Sequence, residues 1–507
     1  MPSLLRDKMI IRRGLRWLRR RLWAPLTDRI GHAKLQSAAL EPHTQPVSPG
    51  GLTASWSLQT LLARRPEPDA ARRIAFVSTL PPEDTGIANC SLRSWLGHSG
   101  PVDLFCPAPD LDWFFANRHD LRGPDDTAPL ELFDVDLLLT AARINRYSAI
   151  VIAFGNSDHH KYLIPVLARL EAADLLDRCS LYIHDPCLLN ILKLFCGGRQ
   201  PDYIDTLGKI YHRDIPALLA AAAAGGEFNE HRALGAQSIL GVRYFHERGI
   251  RHFLVNSEAA RTLIEADLAA VDAPVDAVVS RVFHPVFPAP GAVVRFPSTM
   301  PALRHPITVG TFGIPSRGKC TEDVLAAIRL LRAEGHPIRL VIAGYHAQAY
   351  AAEHANLLAG LDIDLIDAPS DWRLLEAMRA VDLAVQLRAH NFGESSGVVP
   401  QLLSVGRAVI VNRIGSFAEY GDAVAQIPPR ASPQIIARAI LATIEHPPSP
   451  AAIRRYADTH SPARFRDALL AALDEAPRAR LDQLGPAALR PPQPHEPATS
   501  LATRLRQ

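Results

Sequence analysis

Short apolar runs alternate with longer amphipathic stretches over most of this chain. The runs are typical of buried strands, and the stretches between them have helical spacing. A first series of predicted strands comprises residues 74–78, 102–106, 149–154, 181–184 and 253–256. A second series comprises residues 308–312, 339–343, 363–366, 382–387 and 408–412. Strands separated by helices predict parallel α/β sheets.

A proline-rich stretch, 285–306, separates the two series. We therefore predict an α/β protein with two Rossmann-like, doubly wound domains that face an interdomain cleft, where ligands bind at the carboxyl ends of the strands. The predicted segments are a basic amphipathic N-terminus (1–45), a linker (46–71), a first Rossmann-like domain (72–290), a proline-rich hinge (291–306), a second Rossmann-like domain (307–446), closing helices (447–476) and a disordered tail (477–507).

Composition narrows the class of protein. A chain of 507 residues with 48% hydrophobic and 21% charged residues is long enough for two or three globular domains. The net charge of +3 does not fit a globally basic nucleic-acid binder. The cysteines lack CxxC spacing, so neither a zinc site nor a disulfide framework is predicted. Apolar runs are too short for a membrane span, and no secretory signal is recognised, which predicts a cytoplasmic protein.

The first thirty residues differ from the rest of the chain. They carry nine basic and two acidic side chains. Ile11, Leu15, Leu18 and Leu22 fall on one stripe of a predicted amphipathic helix. Two interpretations stay open, which are attachment to an anionic membrane surface and a solvated basic tail.

Polar side chains follow successive strands of the first series. They are Asn156, His159 and His160 after the third strand, and His184 and Asp185 after the fourth. Such groups can hydrogen-bond sugar hydroxyls or move protons, and the alternative for each is a structural side chain or helix cap. Their repetition at strand ends favours a binding role. Adjacent histidines point in different directions, so a metal site is not predicted.

Glycine-containing turns follow the first strand of each series. At Gly86 and Gly313 the backbone N–H groups can face a phosphate, although such a turn is often only a turn. Arg317 and Lys319 can neutralise a diphosphate, the first as a fork and the second as a point charge. The alternative is a pair of solvated cations. The spacing is not that of a Walker loop.

The most informative segment, 390–401, follows the fourth strand of the second series. Glycines allow close approach of the backbone to a ligand, a helix start favours phosphate, and a carboxylate accepts hydrogen bonds from hydroxyls. The segment therefore predicts a site for a sugar nucleotide. Its candidate ligand residues are Glu394, Ser395, Ser396, Gly397, Val398 and Gln401.

These loops, in this order, resemble those of the retaining glycosyltransferases of family 4, the group 1 nucleotide-sugar transferases with the GT-B fold. The resemblance covers residues 73–473, and its last block is similar to a subgroup common in bacterial surface-polysaccharide assembly. The motifs are Pro81-Pro82…Thr85-Gly86-Ile87-Ala88, Gly155-Asn156-Ser157, His184-Asp185, Val255-Asn256-Ser257, Gly310-Thr311-Phe312-Gly313…Lys319 and Leu387-Arg388…Gly393-Glu394-Ser395-Ser396-Gly397.

The resemblance implies a first domain that binds the acceptor and a second that binds the nucleotide sugar. The implied catalytic residues are Glu394 and His184 at the donor sugar, and Lys319 and Arg317 at the diphosphate. The implied donor-binding residues are Gly86, Gly313, Ser395, Ser396, Gly397, Val398 and Gln401. The implied acceptor-binding or sugar-binding residues are Asn156, His159, His160 and Asp185.

The chain departs from the family pattern at three positions. The second acid of the paired-glutamate motif falls near Gln401, a neutral group that can still bond a ribose hydroxyl. Ile314 stands where an arginine is usual, and Cys320 where glycine is common. These departures leave two hypotheses open, an active transferase and a degenerate GT-B subunit that binds sugar nucleotides or acts as a scaffold in polysaccharide assembly.

The leading hypothesis is a retaining, metal-independent hexosyltransferase of cell-surface polysaccharide biosynthesis. It uses a GDP- or UDP-sugar donor, no cofactor and no nucleic acid, and a glycan or lipid-linked saccharide acceptor. Its expected location is cytoplasmic, peripheral on the inner face of the cell membrane. A dinucleotide-dependent oxidoreductase is disfavoured because no GxGxxG follows the first strand.

Deleting residues 1–30 is expected to release the protein from anionic vesicles, because the deletion removes the basic, amphipathic stretch. Vesicle co-sedimentation of the full and shortened chains measures this. Equal binding by the two chains would favour the solvated tail.

Overall fold

The structure, a computed structural model, describes residues 73–83, 85–96, 98, 102–110, 131–145, 147–287 and 306–484. The predicted basic segment 1–45, the linker 46–71 and nearly all of the hinge 291–306 lie outside these residues. So does the predicted tail beyond residue 484.

The first half of the molecule alternates strands and helices. Its strands are β1 (Ile74–Val77), β2 (Val102–Cys106), β3 (Glu131–Asp134), β4 (Ala149–Phe154), β5 (Cys179–Ile183), β6 (His252–Val255) and β7 (Val278–Arg281). Its helices are α1 (Gly86–Trp95), α2 (Leu138–Asn145), α3 (Leu163–Ala172), α4 (Leu189–Phe195), α5 (Gln200–Tyr211), α6 (Ile215–Ala224), α7 (Glu230–Gly235), α8 (Arg243–Glu247) and α9 (Glu258–Leu268). Short 3-10 turns lie at Val135–Leu137, Asp158–His160 and Leu176–Arg178.

The strands of the first half form one parallel sheet in the order β3-β2-β1-β4-β5-β6-β7. The central strands are apolar and buried along their whole length, as in a sheet with helices on both faces. Strand order reverses between β1 and β4. In doubly wound sheets, ligands bind at the carboxyl ends of the strands beside this switch point.

The second half repeats this plan. Its strands are β8 (Ile307–Phe312), β9 (Ile338–Gly344), β10 (Asp362–Asp367), β11 (Leu383–Gln386), β12 (Ala408–Asn412) and β13 (Ala425–Ile427). Its helices are α10 (Thr321–Ala333), α11 (Ala347–Glu353), α12 (Ala355–Leu358), α13 (Asp371–Ala380), α14 (Val398–Ser404), α15 (Pro433–Glu445) and α16 (Pro450–Thr459), with 3-10 segments at Arg317–Lys319 and Gly415–Ala423. The sheet is parallel, in the order β10-β9-β8-β11-β12-β13, so its switch point lies between β8 and β11.

The last helix, α17 (Pro462–Leu484), follows the second half in sequence but packs against the first. Phe465, Leu469 and Ala472 are buried in the same apolar cluster as Trp95 and Tyr182 of the first half. The helix continues to Leu484, past the boundary predicted at 476. None of the helices in the described part of the chain combines the length and apolarity needed to cross a membrane.

The predicted α/β class with two doubly wound sheets is confirmed, and every predicted strand is present within a few residues of its predicted bounds. The strands that the sequence did not predict are β3, β7 and β13, and all three lie at sheet edges. β7, for example, is half-buried to exposed along its length. An edge strand is paired on one side only, so it lacks the continuous apolar run of a central strand.

Replacing Phe465 with Ala is expected to reduce the free energy of unfolding by about 3–5 kcal/mol, because it leaves a cavity under α17. Chemical denaturation of the variant measures the loss. Arg464, the exposed neighbour on α17, supplies the control, and Arg464→Ala should change stability little. A similar small change for both variants would show that α17 does not contribute to the core of the first half.

Candidate active site

Lys319 occupies the turn that follows β8, at the switch point of the second sheet. Gly313 has φ of +91°, and a Cβ there would lie 2.4 Å from Nζ of Lys319. Only glycine therefore lets the ammonium group lie against this turn. Burial lowers the pKa of Lys319 to about 7, and the charge of Arg388 lowers it further in the same direction. The ammonium forms no ion pair with any described residue.

Arg388 brings a second cation to the same place from the end of β11. Asn412 fixes its backbone, since its Oδ1 accepts the N–H of Arg388 (3.0 Å) and its Nδ2 donates to the carbonyl of Arg388 (2.7 Å). The guanidinium lies 5.0 Å above the ring centroid of Phe417. Burial lowers the pKa of Arg388, and the charge of Glu394 partly offsets this. Lys319 and Arg388 are both half-buried, and the charge of Arg388 acts on Lys319, so together they favour an anion.

Glu394 follows in a loop that is shaped by its own hydrogen bonds. Its carboxylate Oε2 accepts the N–H of Phe392 at 2.6 Å. Its carbonyl accepts from Asn391 Nδ2 (3.1 Å) and from Ser416 Oγ (2.6 Å). Gly393, with φ of +88°, makes the turn between them. Burial raises the pKa of Glu394, and the charge of Arg388 acts in the opposite direction, so this carboxyl lies in a partly desolvated position near Arg388.

The start of α14 completes this side of the site. The hydroxyl of Ser396 accepts the N–H of Val399 at 3.4 Å. Gln401 lies one turn into the helix and is half-buried. The structure therefore gathers on one short segment the predicted donor residues Ser395, Ser396, Gly397, Val398 and Gln401.

His184 lies at the end of β5 in the first half. Its ring centroid is 4.3 Å from that of Tyr182, and Asn256 Nδ2 lies 3.5 Å from its Nδ1. Burial, and then the nearby His284, lower the pKa of His184 to about 3, so the imidazole is neutral. Its Nε2 is buried and has no hydrogen-bond partner among the described residues. A buried ring nitrogen in this state needs a partner, which a ligand hydroxyl can supply.

Asp185 connects the two halves electrostatically. Burial raises its pKa to about 7, and Glu394 of the second half is the next contributor to that rise. The first half therefore brings a carboxyl group near the predicted donor carboxylate. Burial, with the charge of Glu394 adding to it, therefore leaves Asp185 partly protonated near neutral pH.

The loop after β4 makes its polar contacts mainly with other residues of the first half. Asn156 Oδ1 accepts the N–H of Ile191 in α4 (3.1 Å). His160 is fully buried, which lowers its pKa to about 4, and its Nε2 has no partner among the described residues. His159 is half-exposed, with Nδ1 3.6 Å from a carboxylate oxygen of Glu83. No three His, Cys, Asp or Glu side chains are grouped as metal ligands in the described ranges.

Gly86 and Arg317 are exposed residues in the segments that follow β1 and β8. Gly86 is the first residue of α1, whose N-cap Thr85 accepts the N–H of Ala88 at 3.0 Å. A Cβ added at Gly86 would meet nothing within 4 Å, so the backbone there faces open space. Arg317 is exposed, and its charge acts on Asp323, counteracting the rise in pKa that burial causes.

No family model matches the chain, and no curated protein matches it. Among solved structures, HepE from Anabaena in complex with UDP-glucose matches with a TM-score of 0.50 and 14% identity, over 80% of this chain and 100% of that chain. The UDP-forming α,α-trehalose-phosphate synthase of Burkholderia xenovorans, in complex with glucose-6-phosphate, matches with a TM-score of 0.47 and 14% identity, over 80% of this chain and 100% of that chain. The fold is GT-B. At such identities the likeness concerns the fold alone.

Within this GT-B fold, three residues near the site were not among the predicted site residues. Arg388 directly follows a predicted strand, and Asn412 ends one, so a polar residue at a strand end was the available signal. His284 had no comparable signal. Its Nδ1 lies 3.0 Å from the carbonyl of Pro285, and its Nε2 would lie 3.8 Å from a Cβ built at Gly397. It reaches the donor loop only because the two halves meet.

The affinity of the site for UDP is expected to fall above about pH 7, by up to about tenfold per pH unit. The pKa of Lys319 is about 7, and a bound anion favours the ammonium, so binding at higher pH must take up a proton. Calorimetry in buffers of different ionisation enthalpy measures this uptake. Lys319→Arg is the control and should give a flatter profile, because the guanidinium stays charged. A pH-independent affinity of the unmodified protein would contradict the placement of Lys319.

Proposed function

We propose that this protein is a retaining glycosyltransferase that moves a hexose from a nucleotide sugar to a glycan or lipid-linked saccharide. In this proposal it acts in cell-surface polysaccharide biosynthesis, on the cytoplasmic face of the membrane. The observation that carries the proposal is the pair of half-buried cations, Lys319 and Arg388, at the switch point of the second sheet, with Glu394 near Arg388. A bound diphosphate would place negative charge next to these two cations.

The donor is proposed to be a UDP-sugar. The solved structure of HepE, which shares the GT-B fold, contains UDP-glucose. A GDP-sugar is the alternative, because no base-specific contact is identified in the described residues. Gln401 replaces the second acid of the glutamate pair and would bond a ribose hydroxyl through its amide.

The proposed reaction uses charge and position. The bond between the anomeric carbon and the diphosphate oxygen breaks, and the acceptor oxygen bonds to the same face of that carbon. The acceptor proton passes to the departing diphosphate. Lys319 and Arg388 stabilise the negative charge that develops on the leaving group, and Arg317 adds charge at the rim. The proposal requires no metal ion and no cofactor, because these side chains supply the positive charge.

Positioning of the sugar falls to groups on both sides of the cleft. Glu394 would accept hydrogen bonds from donor hydroxyls. His184 would form a hydrogen bond to the same sugar through Nε2, which has no partner among the described residues. Asp185 lies close enough to Glu394 for the two carboxyls to influence each other. The loop of His159, His160 and Asn156 is proposed to border the acceptor, although Asn156 and His160 also hold local structure.

A second candidate is a non-catalytic GT-B subunit that binds sugar nucleotides within a polysaccharide assembly complex. The specific observation in its favour is Gln401, which leaves the ribose without the usual carboxylate. Both candidates bind nucleotide, so binding alone does not separate them. Turnover of the donor does.

Replacing Lys319 with Ala is expected to reduce kcat by about 100- to 1000-fold, because the leaving diphosphate loses a preorganised cation. The assay follows UDP or GDP release from a panel of UDP- and GDP-sugars with saccharide acceptors. Lys209, which pairs with Asp205 on the exposed side of α5, gives the matched control, and Lys209→Ala should retain activity. Normal transfer by the Lys319 variant would exclude the proposed role. Donor binding without turnover by the unmodified protein would favour the non-catalytic subunit.

A further inference from the structure

The donor loop touches the first half of the molecule at Gly393. The hydroxyl of Ser257 donates to the carbonyl of Gly393 at 2.6 Å and is buried. A Cβ at Gly393 would lie 2.4 Å from the backbone nitrogen of Ala260. With φ of +88° and no room for a side chain, this position accepts only glycine. The backbone next to Glu394 is therefore in direct contact with the start of α9.

Phe392 makes the adjoining contact. Its ring packs against the apolar core of the first half. A Cβ added at Gly235, the last residue of α7, would lie 2.5 Å from Cε1 of Phe392. The absence of a side chain at Gly235 therefore creates the space that the ring occupies.

Glu419 closes the same interface from the other side of the loop. Its two carboxylate oxygens accept the N–H groups of Glu258 and Ala259, each at 3.0 Å. The hydroxyl of Ser257 accepts the N–H of Ala260 at 2.9 Å. The N–H groups at a helix start have no partner within the helix and carry partial positive charge. A carboxylate of the second half thus satisfies groups that belong to the first.

Two of the segments that make these contacts also form hydrogen bonds with Glu394. The carbonyl of Glu394 accepts from Ser416, which lies in the same 3-10 segment as Glu419. The carboxylate of Glu394 accepts from Phe392, whose ring is held by the first half. The two segments that hydrogen-bond to Glu394, the 392–393 backbone and the 3-10 segment, both contact the first half. The position of Glu394 therefore depends on contact between the halves.

We propose that Ser257, Gly235 and Glu419 are positioning residues, which set Glu394 for sugar transfer when the two halves are in contact. This inference rests on the proposed function. Lys319 and Arg388 belong to the second half, so the diphosphate can bind without the interface. Loss of the interface should then reduce transfer far more than it reduces nucleotide binding.

The first test removes the carboxylate of Glu419. For Glu419→Ala we expect kcat to fall about 10- to 100-fold while the Kd of UDP changes by less than about threefold. Glu419→Gln keeps one acceptor oxygen and should recover part of kcat. The matched control is Glu445→Ala, at the exposed end of α15 and away from the interface, which should behave as the unmodified protein.

The second test adds a methyl group at Gly235, in the space that the ring of Phe392 occupies. Gly235→Ala should displace the ring of Phe392 and lower kcat in the same way, with little effect on the Kd of UDP. Adding Phe392→Leu in the same chain shortens the side chain and should restore part of the lost kcat. Such a rescue is not expected if the two substitutions destabilise the fold independently, because their effects would then add.

Equal kcat for the unmodified protein, Glu419→Ala and Gly235→Ala would overturn the inference. So would a parallel loss of UDP affinity and kcat, because the interface would then support binding or folding rather than the placement of Glu394. Failure of the proposed function has a different signature, which is the absence of turnover in the unmodified protein itself.

Discussion

Each sheet consists of parallel strands, and this constraint arranges everything else in the molecule. Parallel neighbours require a crossover between them, so helices cover both faces and the apolar strands are buried. The loops at the carboxyl ends are then the places where polar side chains can face a ligand. Where strand order reverses, between β1 and β4 and between β8 and β11, the loops diverge and leave room. Lys319 and Arg388 lie at one of these two points.

The chemistry of the site follows from the partial burial of cations, for which Glu394 compensates only in part. Lys319 and Arg388 each lose hydration in the fold, and their mutual repulsion adds to the cost. A bound anion would offset this cost. In the first half, His184 is neutral, and its Nε2 has no hydrogen-bond partner in the part of the chain that the structure describes. The second half offers positive charge for a diphosphate, and the first half offers an uncharged hydrogen-bonding group for a hydroxyl. A sugar nucleotide contains both a diphosphate and hydroxyls.

Much of this was readable in the sequence. The central strands are continuous apolar runs, and loops with polar residues follow them, so Lys319, Glu394 and His184 could be proposed as site residues from the loops in which they lie. Arg388 directly follows a predicted strand, although it was not among the predicted site residues. Three of the edge strands, β3, β7 and β13, were not predicted, because an edge strand can lack a continuous apolar run. The contacts of Phe392 were not predictable, because they join residues far apart in the chain.

The sequence by itself determined the two series of strands and the loops that end them, because the alternation of apolar strand and amphipathic helix is local in the chain. Only the tertiary structure decided how the halves meet. Gly393 against α9, Phe392 against Gly235 and the carboxylate of Glu419 on the start of α9 are contacts between residues about 130 to 160 positions apart. The return of α17 to the first half is of the same kind. Such contacts depend on the shapes and backbone directions of two folded surfaces, which no local pattern contains.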